Sequence, residues 1–168
     1  YRVSDGYDAN SLAIPIARAG GVTSVVSRPV GGLIAGSGAW YTLAAGLTGD
    51  DAIKAPAAMY AALGDQAVGG SDRSRGAAVE RLRELFDDVA TYARNRARYD
   101  RNQSRAMAAE RLDLEALIPV LRGKVPLVIA AERESDIRAA LRLAHELKLR
   151  IVIEGGTENF RGQVTLLV

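Results

Sequence analysis

Residues Lys124–Glu158 alternate two short apolar runs with one amphipathic segment, and that rhythm limits the possible folds more than any other feature of the chain. Lys124 and Pro126 open the apolar run Leu127–Ala131, and the polar residues Glu132–Ser135 follow. Ile137, Ala140, Leu141, Ala144 and Leu147 then recur at spacings of three and four, the period of one helix face. Ile151–Ile153 is a second apolar run, ending in Glu154-Gly155-Gly156. Strand, helix and strand in this order predict a βαβ unit, with parallel strands and a right-handed crossover. In α/β folds the loops after the C-terminal ends of parallel strands carry the chemistry. The site is therefore expected at Ala130–Arg133 and Glu154–Glu158.

The remaining residues are read against that unit. A chain of 168 residues suits a single domain with a real core. Hydrophobic residues make up 48% and charged residues 25%, a globular composition. The net charge of +2 gives no electrostatic case for nucleic-acid binding. Cysteine is absent, which excludes disulfides and thiolate metal sites, and there is one histidine, His145. No apolar run approaches the length of a membrane span. No signal peptide stands within residues 1–168, which leaves cytoplasmic and exported or periplasmic locations open. The polar start at Tyr1 and the apolar finish Thr165–Val168 read as cuts from something longer.

Taken in order, Ser11–Ala19 reads as a short helix with Pro15 in its first turn, stopped by Gly20-Gly21. Val22–Val26 has strand character. Ser27–Gly38 reads as a glycine-rich loop, and Ala39–Ala44 as a short strand or the start of a helix. Ala52–Leu63 is helix-like despite Pro56, with Gly64 as its terminator. Gln66–Gly76 reads as a mobile polar loop. Ala77–Arg98 is the longest expected helix, with Val79, Leu82, Leu85, Phe86, Val89 and Ala93 on one face. Helical character continues over Ala106–Leu112. Asp113 is placed to cap a helix whose apolar face is Leu114, Leu117, Ile118 and Leu121. Val164–Val168 reads as a last strand.

Two stretches resemble a known family. Ala17-Arg-Ala-Gly-Gly-Val-Thr23, followed by Gly31–Gly38, is similar to the AxAGGVTTV…GGxG pattern of the amidohydrolase superfamily, and most similar to its imidazolonepropionase-like branch. Leu114–Pro126, leading into Leu127–Ile137 and Arg150–Glu158, resembles the family's EALLPVLRG…VHAHRADDI and LVLEHGTE segments. The resemblance implies an α/β fold: part of a (β/α)8 TIM-barrel-like metal-dependent hydrolase, with parallel strands and flanking helices. Residues 1–168 are then a single domain, an incomplete central segment of that barrel. The implied activity is hydrolysis of non-peptide C–N bonds, with zinc or another divalent metal as the family's cofactor.

The family's metal ligands do not carry over. Its HAH falls on Ala130-Ala131-Glu132, and the histidine of EHGTE falls on Gly155. A family lysine falls on Thr42 in a looser alignment. Alanine and glycine offer no ligating side chain, whereas a catalytic zinc takes about three His, carboxylate or Cys ligands. No cofactor is therefore expected in this chain, and impaired or absent activity follows. Two carboxylates at strand ends, Glu132 and Glu154, are the candidates for any rebuilt acid/base or cation site, the alternative being ordinary loop carboxylates. Arg28, just past a strand, is placed to hold an anion or to form a salt bridge, and Arg133 is a further substrate-binding candidate. Gly31, Gly32, Gly36 and Gly38 do not form a phosphate-loop pattern. The five arginines of Arg94–Arg105, interrupted by Asp100, read as a solvated helix end. Two functions remain open: a C–N hydrolase by descent, or a non-catalytic relative that binds a small molecule or a partner. Part of a barrel exposes strand edges, so pairing with a second copy or with the remainder of its own chain is also expected.

Overall fold

The computed structural model describes residues 1–46, 48, 50–67 and 74–156. A five-stranded sheet runs in sequence order: β1 (Ser24–Ser27), β2 (Ile34–Thr42), β3 (Lys54–Ala62), β4 (Leu127–Ala131) and β5 (Ile151–Gly155). The helices are α1 (Ala13–Ala19), α2 (Arg75–Arg94), α3 (Arg96–Asp100), α4 (Arg111–Leu121) and α5 (Glu134–Leu147). β3, β4 and β5 are parallel, while β2 is antiparallel to both β1 and β3. The sheet is therefore mixed, where the sequence suggested parallel strands throughout. β1, β3, β4 and β5 share one direction, so their C-terminal ends lie at one end of the sheet.

The predicted βαβ unit forms as β4, α5 and β5, with Leu127 paired to Ile151 and Ala131 to Gly155. The buried seam of α5 is Ile137, Ala140 and Leu143, while Leu141 and Ala144 are half-buried. The seam includes Leu143, which the expected stripe did not, and the polar Asp136 is buried on the same side, at spacings of four and seven from Ala140 and Leu143.

The largest departure is β3. Ala52–Leu63 was expected to be helical, and Lys54–Ala62 is a strand between β2 and β4. Alanine and methionine are good helix formers, but propensity is a weak prior that tertiary context overrides. Ala58–Leu63 are all buried, and small side chains suit a strand enclosed by neighbours on both edges and packed on both faces. Pro56 is exposed, at the irregular stretch where the β2–β3 register shifts between Gly38 and Trp40. The glycine-rich stretch is likewise half strand: β2 begins at Ile34, and Gly36 and Gly38 lie within it. Both are buried, and a side chain at Gly36 would strike the Tyr1 carbonyl 2.5 Å away.

One face of the sheet carries the main core. Met59, Ala61, Leu63, Leu127 and Ile129 pack with Leu82, Phe86 and Val89 of α2, Leu114, Leu117 and Val120 of α4, and Ala140 and Leu143 of α5. A second cluster covers part of β2, where Tyr7 stacks on Tyr41 at 3.7 Å. The expected long helix stops at Arg94 and resumes as α3 after Asn95. α4 starts at Arg111, so Asp113 lies in its first turn and does not cap it, and Ala106–Glu110 is not helical. The expected loop Gln66–Gly76 falls largely outside the described residues, as does the expected strand Val164–Val168.

The arginine-rich segment is tied down by ion pairs. Asp88 of α2 is fully buried. Its Oδ2 accepts the Ala108 N–H at 2.6 Å, and Arg105 Nη1 lies 2.5 Å from its Oδ1. Arg96 pairs with Glu115 at 2.8 Å. Tyr92 is fully buried and donates to Glu115 at 2.8 Å.

Replacing Asp88 by alanine strands the Ala108 amide, and should lower stability by about 1–3 kcal/mol in urea unfolding. Arg105→Ala leaves the fully buried Asp88 carboxylate without its cation, and should cost more than the roughly 1 kcal/mol of an exposed pair. The Tyr92 hydroxyl, then Arg96 and Arg111, hold the Glu115 carboxyl below the ordinary glutamate range, against opposition from its partial desolvation. A depressed carboxyl stabilises the fold above its unfolded pKa and loses that contribution as pH falls through the folded value. Stability should therefore decline on acidification through and below the carboxylate range, and Glu115→Gln should flatten that slope in pH-dependent melting curves.

Candidate functional site

Side-chain alternation along the strands fixes which residues share the face opposite the helices. Tyr60 pairs with Val128, and Ala130 with Glu154. Met59, Ala61, Leu127, Ile129, Ile151 and Ile153 face the helical core. Ala62, Tyr60, Ala130 and Glu154 therefore line the other face, near the C-terminal ends of the parallel strands.

Arg28 follows the end of β1 at one edge of the sheet, and Glu154 belongs to β5 at the other. Edge strands of a flat five-stranded sheet stand about 19 Å apart, farther than these two side chains reach together. Yet Arg28 Nη2 lies 3.0 Å from Glu154 Oε1. The sheet is thus curled into part of a barrel, with this ion pair across its mouth. The pair is not sealed: the side chains are 41% and 38% exposed. In such a setting an ion pair stabilises little and can be exchanged.

Tyr60 sits between the partners. Its ring is buried and lies over Gly38, where any side chain would meet the ring at 2.6 Å and the Ser27 carbonyl at 2.8 Å. Gly38 is therefore the residue that makes room for Tyr60. Burial pushes the phenol above its ordinary pKa, and Glu154 adds to the shift while Arg28 opposes it. Tyr60 consequently stays protonated at neutral pH and keeps a hydroxyl donor. That hydroxyl makes no hydrogen bond among the described residues.

Glu132 follows β4 and lies against Gly155. A side chain at Gly155 would meet Glu132 Oε1 at 2.7 Å and the Ala131 carbonyl at 2.8 Å, and its φ of +106° already favours glycine. Arg133 is exposed at the start of α5, and its carbonyl accepts the Asp136 and Ile137 amides. Nearby, Asp136 is buried and pairs with Arg75 of α2 at 2.5 Å. A side chain at Gly64 would touch that carboxylate at 2.7 Å. His145 is exposed in the last turn of α5.

These residues do not fit a catalytic metal. Ala130 offers a methyl group and Gly155 nothing, while Glu154 is engaged by Arg28. Among the described residues, no group of three or more His, Asp or Glu side chains is arranged to hold a cation. Thr42, the looser match to the family lysine, lies at the opposite end of the sheet, paired with Ser24 and donating to the Thr23 carbonyl at 3.3 Å. Sequence reading brought Arg28 and Glu154 forward separately and missed Tyr60. With β3 read as a strand, parity alone would have placed Tyr60 on the face of Ala58 and Ala62.

The geometry is that of part of a curled α/β barrel, and a solved structure supports the relationship. The crystal structure of an amidohydrolase from Thermotoga maritima MSB8 matches 92% of this chain with a TM-score of 0.78 and 28% sequence identity. The chain spans 42% of the length of that protein. No family model matches, nor does any curated protein. The chain is amidohydrolase-like in fold and sequence. No described helix is long and apolar enough to cross a membrane.

Gly155→Ala should destabilise by about 1–3 kcal/mol, through left-handed strain and the Glu132 contact. Gly155→His should fail to create a zinc site, since its Cβ would point at Glu132 and a backbone carbonyl. Chemical unfolding and zinc titration of the two variants check both outcomes.

Proposed function

We propose that this chain is the central segment of an amidohydrolase-like barrel, of the imidazolonepropionase-like branch, that binds a small molecule at its mouth without metal-dependent hydrolysis. The observation that carries this reading is the Arg28–Glu154 ion pair. It takes the carboxylate that is the register partner of Ala130, at the strand ends where the family resemblance calls for metal ligands. A guanidinium cannot activate water as a bound divalent cation does. Nucleic acid has no place in this reading, because the net charge is only +2 and Arg96 and Arg105 of the arginine-rich segment pair with Glu115, Asp87 and Asp88. The barrel is completed by the remainder of its own chain or by a second copy. Among the described residues, the outer edges of β1 and β5 have no strand partner.

A second reading keeps the activity: a hydrolase of non-peptide C–N bonds on an unknown small substrate. The likeness to the Thermotoga amidohydrolase supports it. Metal analysis of the full-length protein separates the two. Substoichiometric zinc, with turnover of amide and cyclic-amide substrates absent and unaffected by chelator, is the expected result. Stoichiometric metal, lost on chelation together with hydrolysis, would establish the second reading instead.

A further inference from the structure

β2 leads to β3 with no helix between them among the described residues. A strand joined to the next through a helix brings its own cover for the sheet, so the helical layer is one element short over β2. A cavity of about 270 Å³ lies in that gap, between β2 and the helices α2 and α4. Its floor is Met59, Leu85 and Leu117, all buried, and Leu33 and Ile34 at the start of β2 stay half-buried beside it. This is the helical side of the sheet, the face opposite Tyr60, Ala130 and Glu154, so the cavity is separate from the mouth. Two charged side chains stand at its rim. Arg81 of α2 already has a partner. Asp113, exposed in the first turn of α4, has no ion pair and no side-chain hydrogen bond among the described residues.

We propose that this cavity binds a small arylalkyl amine, with its ring on Met59, Leu85 and Leu117 and its ammonium group beside Asp113. The ligand class follows from size, lining and charge. The volume is below that of a drug-sized site and admits one aromatic ring with a short tail. The floor is aliphatic apart from the Met59 thioether, and a thioether sulfur contacts a ring edge favourably. Seating the ring there removes apolar surface from water on both partners. At the rim, the Asp113 carboxylate is the charge that lacks a partner, and an ammonium group supplies one. A ligand ending in a carboxylate would meet repulsion at the same place. Because Asp113 is exposed, the ion pair sets a preference among ligands, while the ring supplies most of the affinity.

The experiment is an NMR titration of the full-length protein with phenethylamine, 2-phenylethanol and 3-phenylpropionate, probes of similar size and different charge. Phenethylamine should bind severalfold more tightly than the alcohol, and the carboxylate more weakly than both, as expected for one exposed ion pair. Asp113→Asn should bring the amine down to the alcohol and leave the alcohol unchanged. Ala109 lines the cavity and is half-buried. Ala109→Leu should therefore fill the space and weaken all the probes by about tenfold or more. Ala116→Leu, at the exposed lip, serves as the second filling variant with the same expectation, and circular dichroism shows which variants are folded. Glu154→Gln, at the mouth, should change none of these affinities. Loss of amine binding in Glu154→Gln would place the amine at the mouth and overturn the proposal. A carboxylate that binds as tightly as the amine would overturn it too, as would an amine preference that persists in Asp113→Asn. Binding unchanged in a folded filling variant, or no saturable binding of phenethylamine, would have the same consequence.

Discussion

The fold rests on β3 being a buried central strand. From Ala58 to Ala62 it is enclosed by β2 on one edge and β4 on the other, with Met59 and Ala61 in the helical core and Tyr60 on the opposite face. Buried strands tolerate little change of side-chain volume. The sheet built on it curls, and the curl brings Arg28 after β1 to Glu154 of β5 across one mouth. The Arg28–Glu154 contact and the position of Tyr60 are consequences of that geometry. Gly38 completes it, since only a residue without a side chain leaves room for the tyrosine ring against β2.

The mouth thus built brings together an ion pair and a tyrosine at the C-terminal ends of the parallel strands. A divalent ligand set needs several lone-pair donors converging on one point. Here the strand ends supply a methyl at Ala130, bare backbone at Gly155, and one carboxylate already neutralised by a guanidinium. Glu132 lies in the space that a side chain at position 155 would enter, so single-residue reversion there meets steric resistance as well as missing partners. Arg28 brings to this mouth a delocalised cation, which polarises water far less than a bound divalent metal.

The β4–α5–β5 unit was legible because two independent periods, alternating strand and helical stripe, pointed to the same elements. Ala130, Glu132, Glu154 and Gly155 could accordingly be placed at strand ends from sequence alone. β3 was not legible. Alanine-rich composition favours helix locally, and only the neighbouring strands, distant in sequence, reverse that preference. Missing β3 hid Tyr60 and made the antiparallel turn of β2 invisible. The pairing of Arg28 with Glu154 was beyond reach for a related reason: it joins residues at opposite edges of the sheet and exists only because the sheet curls. Asp88 gave no local signal either, since a buried aspartate on a helix looks like a solvated one until Ala108 and Arg105 are seen to cover it.

The central claim is that an ion pair stands where the family resemblance calls for a metal. Anomalous diffraction at the zinc edge, from crystals of the full-length protein soaked in zinc, tests it most directly. The account predicts no anomalous peak within about 2–2.5 Å of Glu132 or Glu154, with Arg28 still bonded to Glu154. A fully occupied zinc ligated by those carboxylates, with Arg28 swung away, would contradict it.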